Sequence, residues 1–567
     1  MQCIKITNAK VNNLKNLSIE LPLNQWIAFV GKSGSGKSTL AADVIFGGYL
    51  SKREDVLVPV DVALFRQRVF IPNSSQTVAT YFGWRNQVTP TSFGEALPKY
   101  IESKKTQYGN LLSEAAKALS IDSLNCNTPI SELSLTTFNK LRFVRFLLKT
   151  TANLLIFDEL ASGMSFSDAK QTAAILRSIV ETGHSVITIE HSLPMIEAAD
   201  YIVEMGPGAG IEGGMVTFAG PTRDYMNTER YKCIRSRLSH ILPKNKIERK
   251  LLKIEKVNYN NLRLPEVSMP ANCIVNVCGL SGCGKTSLLD VVFRAFDKST
   301  NAWKNRSGID GEIGGKAYIR RPHFVDQTPI GSNSMSTPAT YTKIMDVLRD
   351  IFAQLPESKA KGFSVSEFSY NSNGGCGQCG GKGVREIIVD DEVLFEPCSA
   401  CSGSRYRDEI NRILIGDLSI GAMLQLPCGA LAQQCPDRRT LVEKIGFIVD
   451  VGLSYLTLGQ PSPSLSGGES QRIKITKELA KKLGDRSLFI LDTPSRGLHV
   501  DDLDKIFVMM RRLVAKNNSM LIADNNPYFI RNSDWIIYLA HNNIAYQGPP
   551  SKLPKKFITE LGLEGLK

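Results

Sequence analysis

Short runs of apolar residues recur along the whole chain, each followed by a loop and then a helix-like stretch. Such runs occur at 26–30 (WIAFV), 154–157 (LLIF), 274–278 (IVNVC) and 487–491 (SLFIL). Continuous apolar runs of this length, without alternating polar positions, are typical of strands that are buried on both faces of a parallel sheet. The pattern therefore predicts an α/β fold.

An internal repeat organises these elements. Residues 31–38 (GKSGSGKS) and 279–286 (GLSGCGKT) both match GxxxxGK[ST], and each follows an apolar run and precedes a helix-like stretch. This context is the one that a phosphate-binding loop requires. The runs at 154–157 and 487–491 each end on an aspartate, and 33 positions separate each aspartate from His191 and Asn525, respectively. The sequence therefore predicts two copies of one nucleotide-binding plan.

One interval breaks the repeat. Gln76 and Leu133 are 57 positions apart, whereas the corresponding Gln327 and Leu465 are 138 apart. The additional segment contains a CxxC-x18-CxxC motif formed by Cys376, Cys379, Cys398 and Cys401. Four thiolates with this spacing indicate a structural zinc site, with iron–sulfur ligation as the alternative.

Composition and charge narrow the class of protein. The chain has 567 residues, too many for one hydrophobic core, and a formal net charge of +13. A basic excess fits a polyanionic partner, and nucleic acid is a more favoured partner than an anionic membrane surface. The apolar runs are far shorter than the ~18 residues of a membrane span, and the N-terminus lacks the apolar core of a signal peptide. Paired CxxC motifs indicate a reducing compartment, so we expect a cytoplasmic protein without a membrane partner.

The order of phosphate loop, glutamine, LSGGE, acidic strand and switch histidine resembles the ABC ATPase superfamily. A narrower resemblance, to the UvrA family of damage-recognition subunits in bacterial nucleotide excision repair, covers nearly the whole chain. It rests on the strings at 12–22, 190–214, 326–342, 376–406 and 450–472 (DVGLSYLTLGQPSPSLSGGESQR). The resemblance implies an α/β fold with two tandem ABC-type P-loop nucleotide-binding domains. Each would carry a helical signature subdomain, the second with a zinc-binding insertion.

The resemblance implies a first ATP site that joins the first phosphate loop to the LSGGE signature of the second half. Lys37 would contact the β- and γ-phosphates, and Ser38 and Asp158 would hold Mg²⁺. Glu159 would orient or deprotonate the attacking water, and His191 would sense the γ-phosphate. The residues assigned to this site are Gly31, Gly34, Gly36, Lys37, Ser38, Thr39, Gln76, Asp158, Glu159, His191, Ser466, Gly467, Gly468 and Glu469.

The second site departs from the family pattern. Its assigned residues are Gly279, Gly282, Gly284, Lys285, Thr286, Ser287, Gln327 and Asp492. The signature of the first half reads LSLTTFNKLR, with Leu135 and Thr136 where two glycines would allow close backbone approach. Thr493 and Asn525 stand at the positions of the catalytic glutamate and the switch histidine. A hydroxyl cannot act as a general base near neutral pH as a carboxylate does, so we predict that site two hydrolyses ATP poorly, if at all.

Basic residues around the cysteine pairs are candidate DNA contacts. They are Lys382, Arg385, Arg405 and Arg407. Contacts with the phosphate backbone supply affinity without reading sequence, and the resemblance implies that this module faces double-stranded DNA. In the alternative, the zinc only stabilises the fold of the insertion, and the basic side chains form a solvated surface without a DNA partner.

The predicted domains are a first ABC half at 1–220 with a signature subdomain at about 80–145, a linker at 221–250, and a second half at 251–567. The zinc-containing signature subdomain would span about 343–470. The short interval of the first half leaves no room for the UvrB-binding and insertion domains of the UvrA family, so we do not expect UvrB binding. The chain resembles compact UvrA-like paralogues, some of them linked to self-protection against DNA-binding antibiotics.

These features together predict an ATP-driven, DNA-binding homodimer that uses ATP, Mg²⁺ and Zn²⁺ and has no nuclease activity of its own. Three alternatives remain: a tandem ABC ATPase acting on ribosomes or RNA, a transporter-associated ATPase, and a scaffold protein with a nucleotide-locked hinge.

Overall fold

The computed structural model describes residues 2–66, 75–84, 92–104, 108–243, 250–280, 282–297, 308–326, 330–331, 333–389, 392–479 and 486–564. The chain packs into two compact units. The first comprises Met1–Phe324 and Asp485–Lys567, and the second comprises Val325–Gly484. Both phosphate loops therefore belong to the first unit, and the four cysteines and the LSGGE segment belong to the second.

The first half of the chain contains nine strands and nine helices within the described residues. The strands are β1 (Cys3–Ala9), β2 (Leu17–Pro22), β3 (Trp26–Gly31), β4 (Val56–Leu57), β5 (Val62–Arg66), β6 (Leu154–Asp158), β7 (Ser185–Ile189), β8 (Tyr201–Gly206) and β9 (Met215–Pro221). The helices are α1 (Gly47–Ser51), α2 (Val78–Tyr81), α3 (Phe93–Lys104), α4 (Gly109–Ala118), α5 (Leu135–Lys149), α6 (Phe166–Glu181), α7 (Leu193–Ala198), α8 (Thr222–Met226) and α9 (Glu229–Ser239). A π-helical segment, Thr39–Phe46, leads into α1.

The second half begins in the same way and is then interrupted by the second unit. Its first elements are β10 (Leu251–Tyr259), β11 (Leu262–Pro270), β12 (Ile274–Gly279), α10 (Lys285–Phe296), β13 (Ile313–Gly314) and β14 (Arg321–Val325). The second unit contains α11 (Pro338–Tyr341), α12 (Ile344–Ala353), α13 (Pro356–Ala360), β15 (Val384–Val389), β16 (Glu392–Pro397), α14 (Asp408–Asn411), β17 (Leu414–Ile415), β18 (Leu418–Ser419), α15 (Ile420–Gln425), α16 (Cys428–Gln434), α17 (Arg439–Asp450) and α18 (Gly467–Leu479). The second half resumes with β19 (Ser487–Asp492), α19 (Val500–Val514), β20 (Ser519–Ala523), α20 (Pro527–Asn532), β21 (Trp535–Ala540), β22 (Asn543–Gly548) and α21 (Lys555–Glu560).

The two halves have the same sheet topology. The strand order is β5-β6-β7-β3-β8-β9 in the first large sheet and β14-β19-β20-β12-β21-β22 in the second, and the last strand of each is antiparallel. Each half adds a three-stranded sheet, β2-β1-β4 or β11-β10-β13. This equivalence confirms the repeat and the α/β class predicted from sequence. Because the carboxyl ends of parallel strands share one edge, residues that follow β3, β6 and β7 meet there.

Equivalent contacts fix the central strand of each sheet. Both β3 and β12 are buried along their whole length. At the start of β3 the Trp26 N–H donates to Asp200 Oδ2 at 2.9 Å, and at the start of β12 the Ile274 N–H donates to Asp534 Oδ2 at 2.9 Å. The identical position of these bonds shows that the repeat extends to individual side chains.

Two further predictions concern the course of the chain. The segment predicted as a linker contains α8 and α9. Across the part of the chain that the structure describes, none of the helices combines the length and the apolar character that a membrane crossing demands.

Candidate functional site

The first phosphate loop is held by glycines in conformations that other residues avoid. Gly31, Gly34 and Gly36 have φ values of 130°, 77° and 106°. A Cβ at Gly31 would lie 2.2 Å from the carbonyl oxygen of Met205, so the close approach of this loop to β8 requires glycine. The glycines thus give the loop the backbone conformation that a phosphate-binding motif requires.

The lysines and the hydroxyls that follow them in the two loops make matching contacts. Lys37 Nζ donates to the carbonyl oxygens of Gly31 and Lys32 at 2.9 and 2.7 Å, and Lys285 Nζ donates to those of Gly279 and Leu280 at 2.8 and 2.9 Å. The following hydroxyl then reaches the aspartate at the end of the neighbouring strand. Ser38 Oγ lies 3.4 Å from Asp158 Oδ1, and Thr286 Oγ1 lies 3.0 Å from Asp492 Oδ2. Both sites therefore place the hydroxyl and carboxylate that would hold Mg²⁺ side by side.

The second hydroxyl after each lysine is bonded to an asparagine. Asn12 Nδ2 donates to Thr39 Oγ1 at 3.3 Å, and Asn260 Nδ2 donates to Ser287 Oγ at 3.2 Å. Gly282 and Gly284 have positive φ, as their counterparts in the first loop do. The second loop is therefore built like the first.

The residue after the aspartate distinguishes the two sites. Glu159 and Thr493 both adopt a left-handed conformation, with φ of 54° and 49°. Their backbone N–H groups donate to equivalent carbonyls, those of Ile189 and Ala523. The Thr493 hydroxyl donates to Asp492 Oδ1 at 2.9 Å. The backbone is therefore the same, and the second site has a hydroxyl where the first has a carboxylate.

The two sites also differ at the position of the switch histidine, which is occupied by His191 in the first half and by Asn525 in the second. His191 follows β7 in the first half, whereas Asn525 follows β20 and its Oδ1 accepts a hydrogen bond from the Gly279 N–H at 3.1 Å. The preceding residues, Glu190 and Asp524, are buried carboxyls. Burial raises the pKa of Glu190 to about 8 and that of Asp524 to about 6.

Of the two glutamines assigned to the ATP sites, the structure describes only Gln76. Gln76 is exposed, and its carbonyl oxygen accepts a hydrogen bond from the Ile130 N–H at 2.8 Å. Gln327 lies outside the described residues.

A cavity of about 180 Å³ joins the machinery of both halves within the first unit. Its lining includes Glu159 and His191 from the first half, and Lys285, Thr493 and Asn525 from the second. Sequence reasoning assigned these residues to two separate sites, and the fold brings them to one cavity.

A loop of the second half, residues 493–499, contributes contacts to the first site that sequence reasoning missed. Ser33 Oγ in the first phosphate loop donates to the Gly497 carbonyl oxygen at 2.9 Å. The His499 ring lies 5.9 Å from the His191 ring, and burial lowers the His499 pKa to about 3, so its ring is neutral. The only sequence signal was the position of this loop directly after the acidic strand β19.

Asp501, in the first turn of α19, forms ion pairs with three cations. Its carboxylate lies 2.8 Å from Arg230, 2.9 Å from Arg237 and 3.7 Å from Lys32. Lys32 belongs to the first phosphate loop, and the two arginines belong to α9. The predicted linker is therefore tied by ion pairs to the first ATP site.

The two signature segments begin helices with different caps. Ser134 caps α5 by accepting the Thr137 N–H at 3.1 Å. In the second unit Ser466 Oγ accepts the Glu469 N–H at 3.2 Å, and Glu469 Oε2 accepts the Ser466 N–H at 2.9 Å. This reciprocal pair is a capping box. Glu469, assigned to the nucleotide from sequence, thus serves as a helix cap at the segment that contains Gly467 and Gly468.

The four cysteines converge in the second unit. The sulfurs of Cys376, Cys379, Cys398 and Cys401 all lie within 4.8 Å of one another, and those of Cys379 and Cys401 are 3.8 Å apart. Tetrahedral Zn–S bonds of ~2.3 Å place sulfurs about 3.8 Å apart. A hydrogen bond donated by the Cys401 N–H lowers the pKa of Cys398 to about 7. Burial raises the pKa of Cys401 to about 12, so forming its thiolate is unfavourable unless a bound dication stabilises the negative charge. The cluster fits a zinc-binding site.

The structure corrects one candidate DNA contact. The Arg405 side chain is 1% exposed. Its guanidinium donates to the carbonyl oxygens of Ser334, Gly381 and Gly459 at 2.7–3.1 Å. Arg405 is therefore a structural residue beside the cysteine cluster, and it is not available to DNA. By contrast, Lys382, Arg385 and Arg407 are exposed.

The sequence is similar to that of ABC ATPases and, over a longer stretch, to that of UvrABC system protein A. The family model described as ABC transporter matches residues 14–162. The UvrABC system protein A of Aquifex aeolicus (strain VF5) is 34% identical over 403 residues, which cover 69% of this chain and 43% of that protein. That of Bacillus subtilis (strain 168) is 34% identical over 396 residues, 68% of this chain and 41% of that protein. The chain thus spans less than half the length of these curated relatives.

Solved structures agree in fold. UvrA2 from Deinococcus radiodurans superposes with a TM-score of 0.82 and 20% identity over 97% of both chains. A model of ribosome-bound archaeal Pelota and ABCE1 gives a TM-score of 0.57 with 15% identity, over 99% of this chain and 80% of that one. The identity to UvrABC system protein A, together with the shared fold, shows that the chain is a UvrA-like member of the ABC ATPase superfamily.

Proposed function

We propose that the chain is an ATP-hydrolysing, DNA-binding protein of nucleotide excision repair or a related DNA-protection process, with one hydrolysing and one non-hydrolysing ATP site. The observation that carries this proposal is the contrast at one backbone position, where Glu159 and Thr493 share a conformation but differ in chemistry. Self-protection against a DNA-bound antibiotic belongs to the same proposal.

Hydrolysis at the first site follows from the residues that converge there. Lys37 offsets the phosphate charge, and Ser38 and Asp158 would hold Mg²⁺, which when bound stabilises charge on the phosphate oxygens. Glu159 orients the attacking water and accepts its proton, and His191 contacts the γ-phosphate. At the second site Lys285, Thr286 and Asp492 keep the contacts for nucleotide binding, but Thr493 cannot accept the proton.

The DNA-facing surface would lie around the cysteine cluster, where Lys382, Arg385 and Arg407 are exposed. Zinc held by the four thiolates would fix the loops that carry these cations. We further propose that the chain acts as a homodimer on double-stranded DNA, and that UvrB is not its partner.

The test measures steady-state ATP hydrolysis alone, with duplex DNA, with drug-modified duplex and with ribosomes. The proposal predicts stimulation by DNA, strongest for modified duplex, and none by ribosomes. Glu159→Gln should abolish most turnover, and the matched variant Thr493→Glu should leave the rate near that of the wild type. Stimulation by ribosomes alone, or near-normal hydrolysis by Glu159→Gln, would contradict the proposal.

A further inference from the structure

The loop at 493–499 lies directly against the catalytic base of the first site. A Cβ on Gly497 would lie 3.2 Å from Glu159 Oε2, so the loop backbone passes close to this carboxylate with no side chain of its own between them. The hydrogen bond from Ser33 to the Gly497 carbonyl oxygen holds the loop in this place. The second half therefore forms one wall around Glu159.

The residue before this glycine is a buried cation. The Arg496 side chain is 8% exposed, lines the same cavity as Glu159, and its backbone N–H donates to the Thr493 carbonyl oxygen at 3.1 Å. An arginine keeps its charge even when buried, so carboxylates must offset it. Its charge interacts favourably with the carboxylates of Glu159 and Asp492.

Glu159 has a negatively charged neighbour in the chain, because Asp158 directly precedes it. The phosphates of ATP would add further negative charge. A carboxylate among anions is repelled from the γ-phosphate and its water unless a cation holds it in place.

Building on the proposed function, we propose that Arg496 is a positioning residue for the first ATP site. It is supplied by the second half of the chain and holds the Glu159 carboxylate in line with the attacking water. Because the same guanidinium also interacts with Asp492, it connects the base of the hydrolysing site to the metal-binding carboxylate of the non-hydrolysing one.

Substitution of Arg496 should lower the chemical step and spare ATP binding. We expect Arg496→Gln to reduce kcat for ATP hydrolysis at least tenfold with a KM for ATP within twofold of the wild type. Arg496→Lys keeps the charge but loses the planar fork of the guanidinium, so its kcat should be intermediate. Arg512→Gln, an exposed change on α19, is the matched control and should leave both constants unchanged.

A double-mutant cycle separates positioning from a general structural effect. In single-turnover reactions with excess protein, Arg496→Gln should have no further effect in a Glu159→Gln background, because the residue acts through Glu159. A wild-type kcat for Arg496→Gln, or the same fold-loss in both backgrounds, would overturn the inference. If Arg496→Gln does not fold, the cycle uses Arg496→Lys with the same two outcomes. A wild-type chain that hydrolyses no ATP would overturn the proposed function as well, whereas an active wild type with an additive cycle overturns this inference alone.

Discussion

Glu190 and Asp524 occupy the same position before the switch residue, yet their carboxyls differ in acidity. Burial raises both pKa values, to about 8 and about 6. Glu190 accepts the Ala161 N–H at 3.3 Å, whereas Asp524 accepts from the Ser495 N–H and hydroxyl and from the Asn526 N–H at 2.7–2.8 Å. The hydrogen bonds to Asp524 are shorter and favour its charged form, so the pKa of Asp524 departs less from that of an ordinary carboxyl.

The buried Glu190 carboxyl predicts a pH-dependent stability. Its folded-state pKa of about 8 lies above the ordinary 4.5, so the folded chain holds a proton that the unfolded chain releases. The free energy of unfolding should therefore fall as pH rises from about 4.5 to about 8, by at most ~1.4 kcal/mol per pH unit from this group. Glu190→Gln removes this contribution, so its stability relative to the wild type should grow across that window.

Urea unfolding at both ends of the window measures the effect. Glu181→Gln, an exposed carboxyl on α6, is the control and should keep the wild-type pH dependence. Parallel pH dependences for Glu190→Gln and the wild type would show that the Glu190 carboxyl is not protonated in the folded chain.

At the scale of elements, the cysteine module depends on one buried arginine. Arg405 has a positive φ of 72°, and it binds carbonyl groups on three separate segments, beside the knuckle that carries Cys376 and Cys379. The cysteine cluster and the surrounding loops are thus one packed element, with the exposed cations on its outside.

Arg405 and Arg407 should therefore have different roles. Arg405→Ala leaves buried carbonyls unpaired at roughly 1–3 kcal/mol each, so the variant should lose at least about 2 kcal/mol of stability. Arg407→Ala, at an exposed position, should unfold like the wild type but bind duplex DNA more weakly and with a smaller salt dependence. Thermal unfolding and a salt titration of DNA binding distinguish the two. A destabilised Arg407→Ala, or an Arg405→Ala as stable as the wild type, would contradict this division.

Metal content tests the module directly. Purified chain should contain one zinc per polypeptide, and Cys398→Ser should lose most of it together with stability of the second unit. Cys233→Ser, at an exposed cysteine outside the cluster, should retain the full amount. Elemental analysis gives the result, and iron in place of zinc would contradict the zinc assignment.

At the scale of the whole molecule, the sequence predicted the repeat because its signals are local. A phosphate loop between a buried strand and a helix, and an aspartate at the end of an apolar run, each depend on a few consecutive residues. The buried role of Arg405 and the electrostatic interaction of Arg496 with Glu159 could not be predicted, because they depend on residues that are 24 or more positions apart in the chain. Basic residues near a zinc motif look alike in sequence, and only burial separates a structural arginine from a surface one.

The asymmetry between the two ATP sites is the central claim for the molecule as a whole. Both sites keep the lysine, hydroxyl and aspartate contacts, and the first alone keeps the glutamate and histidine. The chain should therefore bind two nucleotides and hydrolyse one of them.

A single-turnover experiment tests this claim most directly. Protein loaded with radiolabelled ATP and Mg²⁺, freed of excess nucleotide and quenched over time, should yield one ADP and retain one ATP per chain. Glu159→Gln should retain both ATP molecules. Formation of two ADP per chain, or an unchanged yield of ADP in Glu159→Gln, would contradict the account.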